Sequence, residues 1–407
     1  MKSKFLLSLI LIFSLQPSAS AATVVEAKAK VDLAYTGNEQ VSDLLLTPTS
    51  IAIIGTTENA TSNWISGNLN GISDGFISAF SSTGSPLWNL RLGGTNSEIA
   101  TSAALDSDGS IWIVGASAQA ASNTPAPTPT KVLNPDNVAI DQLPGASAAL
   151  NKLNLWQVSS SGQLLASYET QTASVINPQK LLVTPTGLAI FGDIYEKSTV
   201  KGFFVSASKA GLFNAPIKYG VKSTQFNSAI LNSDSSFTVV GKSSDLLLKV
   251  KPLSKGDAIS LKISSKGVLQ QVGRATLKST TRSWDSISAG LLQGGLVKYS
   301  NKSEAAVTKF SAIGKPTWNT RFLSRSTALV ASGTNSWVTF ISNGAIPGLK
   351  TWKPKTPATV VLQLGKKGEV VSANFLSGAP VAIGRNNELG TVVITDSGTS
   401  FGLVLIN

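Results

Sequence analysis

The sequence predicts an all-β protein: a seven-bladed β-propeller of four-stranded antiparallel blades, with the ring closed by an N-terminal strand that completes the last blade. Three observations carry this expectation. A degenerate segment recurs along the chain, most clearly at 76–94 (FISAFSSTGSPLWNLRLGG) followed by 99–117 (IATSAALDSDGSIWIVGAS). Its short β-type runs are joined by tight Gly turns, the layout of one propeller blade. Two markers within the segment each recur seven times, and the chain starts and stops out of phase with its own repeat.

The first marker is a β run ending in a turn glycine, at 76–84, 153–162, 203–211, 258–267, 305–314 and 359–368, with 401–407 as the seventh. The second is a short apolar run at 51–55, 111–115, 188–192, 237–241, 296–299, 337–341 and 391–395. Lettering strands A to D from the axis outward, the clearest blade has A at 99–106, B at 110–116, C at 150–159 and D at 163–169. The chain then opens with a D-type strand, 30–37 (KVDLAYTG), and ends with a C-type strand at 401–407. Pairing the two closes the ring and removes an open sheet edge; an open array or a six-plus-one arrangement is the competing expectation. The blocks TVVLQL (359–364) and FGLVLI (401–406) are rich in β-branched and apolar residues and bounded by turn formers, which favours strand over helix.

The chain begins like a secretory leader. Lys2 and Lys4 precede an apolar run over 5–15, and Ala19-Ser20-Ala21 offers a small-residue cleavage site. Residues 1–21 are expected to be removed, leaving 22–407 as one exported domain. The apolar run is shorter than the roughly 20 residues a membrane span needs. Cysteine and histidine are both absent from the 407 residues. Disulfides, thiolate and imidazole metal ligands, and Ser-His-Asp or Cys-His catalysis are therefore excluded within this chain. No cofactor or metal is expected, and the chain is expected to be a monomer.

The copy that contains Gly84, Trp88, Gly93-Gly94, Asp106, Gly109 and the Ile-Val-Gly at 113–115 resembles the seven-bladed propeller repeat of secreted bacterial proteins. It is more loosely similar to pyrroloquinoline-quinone-type propeller repeats. The resemblance is clear over about 41–117 and implies a fold that hosts many unrelated functions. The vicinal cysteines found in many of the quinone enzymes cannot exist here.

The place of the insertions marks a binding face. A–B and C–D turns look short, whereas long connections fall between B and C, at 57–74, 116–148, 242–256 and 342–357. In an antiparallel blade the B–C and D–A connections leave from one end, so every insertion projects from the same side. The charge is also uneven: residues 1–195 carry −5 and residues 196–407 carry +17 of the net +12. Lys249, Lys251 and Lys255 fall in the fourth blade's insertion, and Lys350, Trp352, Lys353 and Lys355 in the sixth's. D–A connections add Lys218, Lys222, Lys278, Arg282 and Arg325, and Trp64 stands in the first insertion. Cations interleaved with aromatic rings suit an anionic polymer or glycan; either tryptophan could instead pin its own loop. Specific nucleic-acid recognition is not expected.

The remaining chemistry is sparse. Asp106-Ser107-Asp108-Gly109 is read as an Asx-Gly turn, since the downstream glutamate of a calcium loop is missing. Trp88 and Trp318 follow turn glycines at one offset and are read as inter-blade packing. Asp43, Glu98 and Asp285 lie near inner strands but do not align in the repeat. The expected function is a non-catalytic binding or scaffold protein for an anionic polymer, glycan or protein. The alternative is a carboxylate-based glycan hydrolase or polysaccharide lyase at the channel mouth.

Overall fold

A computed structural model describes residues 22–36, 38–118 and 149–406. The expected leader and most of the 116–148 connection lie outside the described residues. Two short strands come first, β1 (Val24–Glu26) and β2 (Val31–Ala34). Blade 1 is β3 (Glu39–Leu46), β4 (Ile51–Thr57), β5 (Asp74–Phe80) and β6 (Pro86–Leu92); blade 2 is β7 (Glu98–Leu105), β8 (Ile111–Ala118), β9 (Leu150–Val158) and β10 (Leu164–Gln171). Blade 3 is β11 (Val175–Thr184), β12 (Gly187–Glu196), β13 (Thr199–Ala207) and β14 (Ile217–Tyr219). Blade 4 is β15 (Thr224–Leu231), β16 (Phe237–Ser243), β17 (Asp257–Ile263) and β18 (Leu269–Ala275). Blade 5 is β19 (Thr281–Ser288), β20 (Leu292–Lys298), β21 (Ser303–Phe310) and β22 (Pro316–Leu323). Blade 6 is β23 (Leu329–Ser332), β24 (Ser336–Ser342), β25 (Ala358–Leu364) and β26 (Val370–Leu376), and blade 7 opens with β27 (Ala379–Asn386), β28 (Gly390–Asp396) and β29 (Ser400–Ile406).

The ring closes as the sequence predicts. Strand β2 pairs antiparallel with β29, Val31 opposite Leu403 and Ala34 opposite Ser400, and so becomes the outer strand of blade 7. Strand β1 was not foreseen. It adds in parallel to β26, Val24 opposite Ala373, and gives blade 6 a fifth strand. Ala27 and Ala29, between the two short strands, pack against the core shared by blades 6 and 7. The N-terminal segment thus ties two blades together and covers two outer edges, the exposure that a sheet has to manage.

The repeat has a steric cause near the axis. In six blades the register of strand A shifts by one residue against strand B, as between Ala100 and Ser102 or Trp284 and Ser286; blade 6 is the exception. In blades 1–5 the residue facing this bulge is Gly55, Gly115, Gly192, Gly241 or Gly295. A Cβ on Gly115 would lie 1.9 Å from the carbonyl oxygen of Ile99, so only glycine lets the strands close there. The apolar marker of blade 5 is corrected accordingly. Its B strand spans Leu292–Lys298 rather than 296–299, because Gly295 is the nesting glycine and Gln293-Gly294 interrupts the apolar run.

The core lies between the blades. Seven apolar clusters occupy the seven joints; Ile54, Ile77, Ile113, Trp156 and Val158, for example, fill the joint of blades 1 and 2. Trp88 stands over the C–D turn of the next blade and donates its indole N–H to Ser160 O at 3.0 Å. Gly162 has φ +85°, and a Cβ there would lie 2.6 Å from the Trp88 ring. Trp318 stands in the same way over Gly368. Burial of indole against a turn glycine is apolar contact of the ordinary kind.

A charge pattern reinforces the outer strands. Residues 17 apart on strands C and D of one blade form Asp74–Arg91, Lys152–Glu169, Asp257–Arg274 and Glu304–Arg321 pairs, at 3.5, 2.7, 3.5 and 3.2 Å. Opposite charges at diagonal cross-strand positions support register.

Candidate binding face

The B–C and D–A connections meet at one end of the disc, as the strand order requires. Ser244 N donates to Ser223 O at 2.9 Å, Asn343 N to Leu323 O at 3.0 Å, and Arg282 N to Gly256 O at 2.9 Å, each joining a B–C segment to a D–A segment or to the strand end beside it. Trp64 and the lysines at 350, 353 and 355 therefore belong to connections of the same face.

The connection of blade 4, residues 244–256, is the most built part of that face. Asp245 is buried at its base and accepts from Val221 N, Lys222 N and Ser223 N at 2.9–3.0 Å and from Thr224 Oγ1 at 2.8 Å. Burial alone would raise its carboxyl; the Thr224 hydroxyl and three backbone N–H groups outweigh this and hold it below the usual carboxylate range. Arg274 reaches up from β18 and donates to Ser243 O at 3.1 Å and to Asp245 O. Above this base a two-residue turn closes between Leu247 and Val250, whose backbones exchange hydrogen bonds. Leu248 and Lys249 sit in it at φ +42° and +64°. Such turns favour Asn-Gly; holding Leu and Lys there costs of order 1–3 kcal/mol each.

That strained turn displays apolar and cationic side chains together. Leu246, Leu248, Val250 and Leu253 are exposed, Leu253 to 76 %, and Val221 of the adjacent connection to 64 %. Lys222, Lys249, Lys251 and Lys255 are exposed among them. The only carboxylate of the segment, Asp245, is turned inward. In blade 6, Lys350, Lys353 and Lys355 are likewise exposed, and Lys278 is exposed in the connection leading to blade 5.

Three residues expected to present themselves on this face do not. Trp64 is 6 % exposed. Its ring meets Phe76 and Phe401 edge-on at 5.1 and 6.1 Å, and its N–H donates to Ala34 O at 3.2 Å. It thus staples the first insertion across the closing joint of blades 7 and 1. Trp352 is half-buried against the core of blade 6 and donates to Ser342 Oγ at 3.1 Å, pinning the loop that carries the lysines. Arg282 is a strand residue of β19, 9 % exposed, with its guanidinium 4.2 Å over the ring of Trp284. Lys218 is tied down as well: it and Lys201 flank Glu196, whose carboxyl Lys201 and then Lys218 hold down at about 2. The two indoles and Arg282 fold inward, and the lysine tips stay outside.

The A strands line the channel; of their acids Asp43 and Asp285 are held by neighbours, whereas the buried Oε2 of Glu98 has no partner. Asp43 accepts from Ser102 Oγ at 2.7 Å and from Lys180 Nζ at 3.1 Å, a contact between blades 1 and 3. Asp285 accepts from Asn227 Nδ2 at 2.8 Å, Ser283 Oγ at 2.9 Å and Thr327 Oγ1, and burial pushes its carboxyl up. Asp106, in the turn read as Asx-Gly, accepts from Trp112 Nε1 at 3.1 Å and Ser107 N at 2.7 Å. Among the described residues no three acidic side chains cluster as a metal site, and no helix is long and apolar enough to cross a membrane.

No protein-family model matches the chain, and no curated protein matches it. Solved structures do match in overall shape. A structure of the polysaccharide lyase family PL25 ulvan lyase has a TM-score of 0.49 at 8 % identity, covering 95 % of this chain and 96 % of that one. BBS1N in complex with ARL6DN gives 0.45 at 9 %, covering 95 % of each chain. The propeller domain of the Trilobed protease from Pyrococcus furiosus gives 0.44 at 9 %, covering 90 % and 95 %. The chain is a seven-bladed β-propeller; these likenesses concern shape and say nothing of ligand.

Proposed function

We propose that the protein is an exported, non-catalytic binding propeller that engages an anionic polymer through the face of its B–C and D–A connections. One observation carries this reading: the strained turn of blade 4 holds Leu248 and Lys249 outward within an exposed group of four lysines whose nearest acid is buried and satisfied. Unneutralised cations on a projecting loop raise the local concentration of a polyanion and hold it by many weak contacts. The lysines of blade 6 extend the same charge. Export rests on the leader-like residues 1–21, and the resemblance to secreted propeller repeats agrees with it.

A protein partner is the second reading, favoured by the exposed Leu246, Leu248, Val250 and Leu253. The catalytic alternative has less support, because Asp43 and Asp285 are each held by structural partners. Co-sedimentation with an acidic polysaccharide across a salt series tests the proposal. Binding is expected to fall steeply with salt and to be lost when Lys249, Lys251 and Lys255 are replaced together by alanine. Absence of binding at low salt, or binding untouched by that triple replacement, overturns it.

A further inference from the structure

The joint between blades 4 and 5 departs from its neighbours at one core position, and two further polar side chains line the same space. Two residues before the nesting glycine, strands B of blades 1–4 carry Ile53, Ile113, Ile190 and Val239, all fully buried. Blade 5 carries Gln293 there. It is 1 % exposed; its Nε2 donates to Ser260 Oγ at 3.0 Å, and its Oε1 has no partner. Four residues after the C–D turn glycine, blades 1 and 5 carry the covering Trp88 and Trp318, blades 2, 3 and 6 carry Ala166, Ala215 and Ser372, and blade 4 carries Gln271, which faces Gly314 of blade 5.

The third polar group is Arg282. Its guanidinium lies on Trp284, its buried Nε has no partner, and among the described residues it makes no ion pair. Burial, then the like charge of Arg321, bring it down to about 10, so it is still a cation at neutral pH. A buried charge without a counter-charge and a buried amide oxygen without a donor are each costly. These groups line a cleft of about 840 Å³. Its lining includes Arg282 together with Ser260, Gln271, Gln293, Thr308 and Asn319. A packing fault in an apolar joint would leave apolar walls alone; here amides and hydroxyls stand among apolar side chains, and of the cations on the wall Arg274 is paired with Asp257. The charged pair on its wall, Lys262 and Asp234, neutralises itself at 2.7 Å.

We propose that this inter-blade cleft is a binding site for a small hydroxylated organic acid of the sugar-acid class, with the carboxylate at Arg282 and the hydroxyls against Gln271, Gln293, Ser260 and Asn319. The volume lies within the range of small-molecule sites. One unpaired cation calls for one anionic group, and walls that both donate and accept suit a polyol better than an apolar acid. Arg274 joins the wall of the cleft to the base of the blade 4 connection, but the ligand proposed here does not depend on the function proposed for the basic face.

Calorimetric titration of the full chain with glucuronate, galacturonate and gluconate, with glucose as the uncharged control, tests this. At least one acid is expected to bind with 1:1 stoichiometry, and glucose at least tenfold more weakly. Arg282→Gln is expected to weaken the acid at least tenfold. Gln271→Trp, at the exposed mouth, is expected to abolish binding while leaving the melting temperature equal or higher. The proposal is overturned if none of the three acids binds, if binding survives both replacements, or if it is lost in the Lys249/Lys251/Lys255 variant and retained in Arg282→Gln.

Discussion

Two joints of the ring, built from the same repeat, have opposite characters. Between blades 1 and 2, Ile54, Ile77, Ile113, Trp156 and Val158 close on one another, and Trp88 seals the turn of the next blade. Between blades 4 and 5, Trp284, Val240, Ala258 and Val297 fill one part of the joint, and Gln293, Ser260 and Gln271 line a cleft in the rest. The backbone register is shared, since both A strands carry the bulge and both B strands the nesting glycine. A joint of the ring can therefore take up polar groups without losing the shared register. The change needs only side chains at positions that the repeat already defines.

The comparison can be broken most severely by moving the polar residue to the dry joint. Ile113→Gln places an unsatisfied amide where Ile113 is fully buried, and should cost about 4 kcal/mol in chemical denaturation. A loss below about 1 kcal/mol would mean that the joint of blades 1 and 2 is no drier than that of blades 4 and 5.

A buried acid at a third joint gives a pH test. Asp193 of blade 3 accepts from Phe226 N at 2.9 Å and Gln225 Nε2 at 3.2 Å of blade 4, and burial pushes it up from 3.8 to about 6. Between those values the folded chain holds a proton that the unfolded chain releases. Its share of stability therefore falls as pH rises from about 4 to about 6, by up to about 3 kcal/mol, and is level above. Burial likewise raises Asp74, Glu98 and Asp285, so their slopes have the same sign. Asp193→Asn should remove its part of the slope in melts taken between pH 4 and 7; an unchanged profile would assign the slope to the other three.

Trp88→Ala should cost about 2 kcal/mol, because the ring is half-buried and one hydrogen bond to Ser160 is lost with it. At the small end, replacing Lys249, Lys251 and Lys255 by alanine should move stability by no more than about 0.5 kcal/mol while altering polymer binding. A larger change would mean that these side chains serve the loop itself.

Much of the architecture was legible because it repeats. Turn glycines, apolar runs and the out-of-phase ends sufficed for blade number, ring closure and the side that carries the insertions. What escaped depends on contacts far apart in sequence or on departures from the repeat. Trp64 reads as a loop aromatic until Phe401 is brought against it. Arg282 reads as a connection residue until β19 is seen to begin at Thr281. Strand β1 offers three residues and no alternation, too little to show a parallel partner. Two signals were present and unread: opposite charges 17 apart on outer strands, and Gln293 in a column of isoleucine and valine, which had shifted the apparent strand of blade 5 to 296–299.

The most direct measurement is the thermal melt of the Gln271→Trp/Gln293→Ile double variant against the native chain, without added acid. If the joint of blades 4 and 5 gives up packing for a polar cleft, supplying the branched apolar residue of blades 1–4 and the tryptophan of blades 1 and 5 should raise stability by about 1–2 kcal/mol. A lower melting temperature would contradict the account, for it would show that the two glutamines make contacts the ring itself requires.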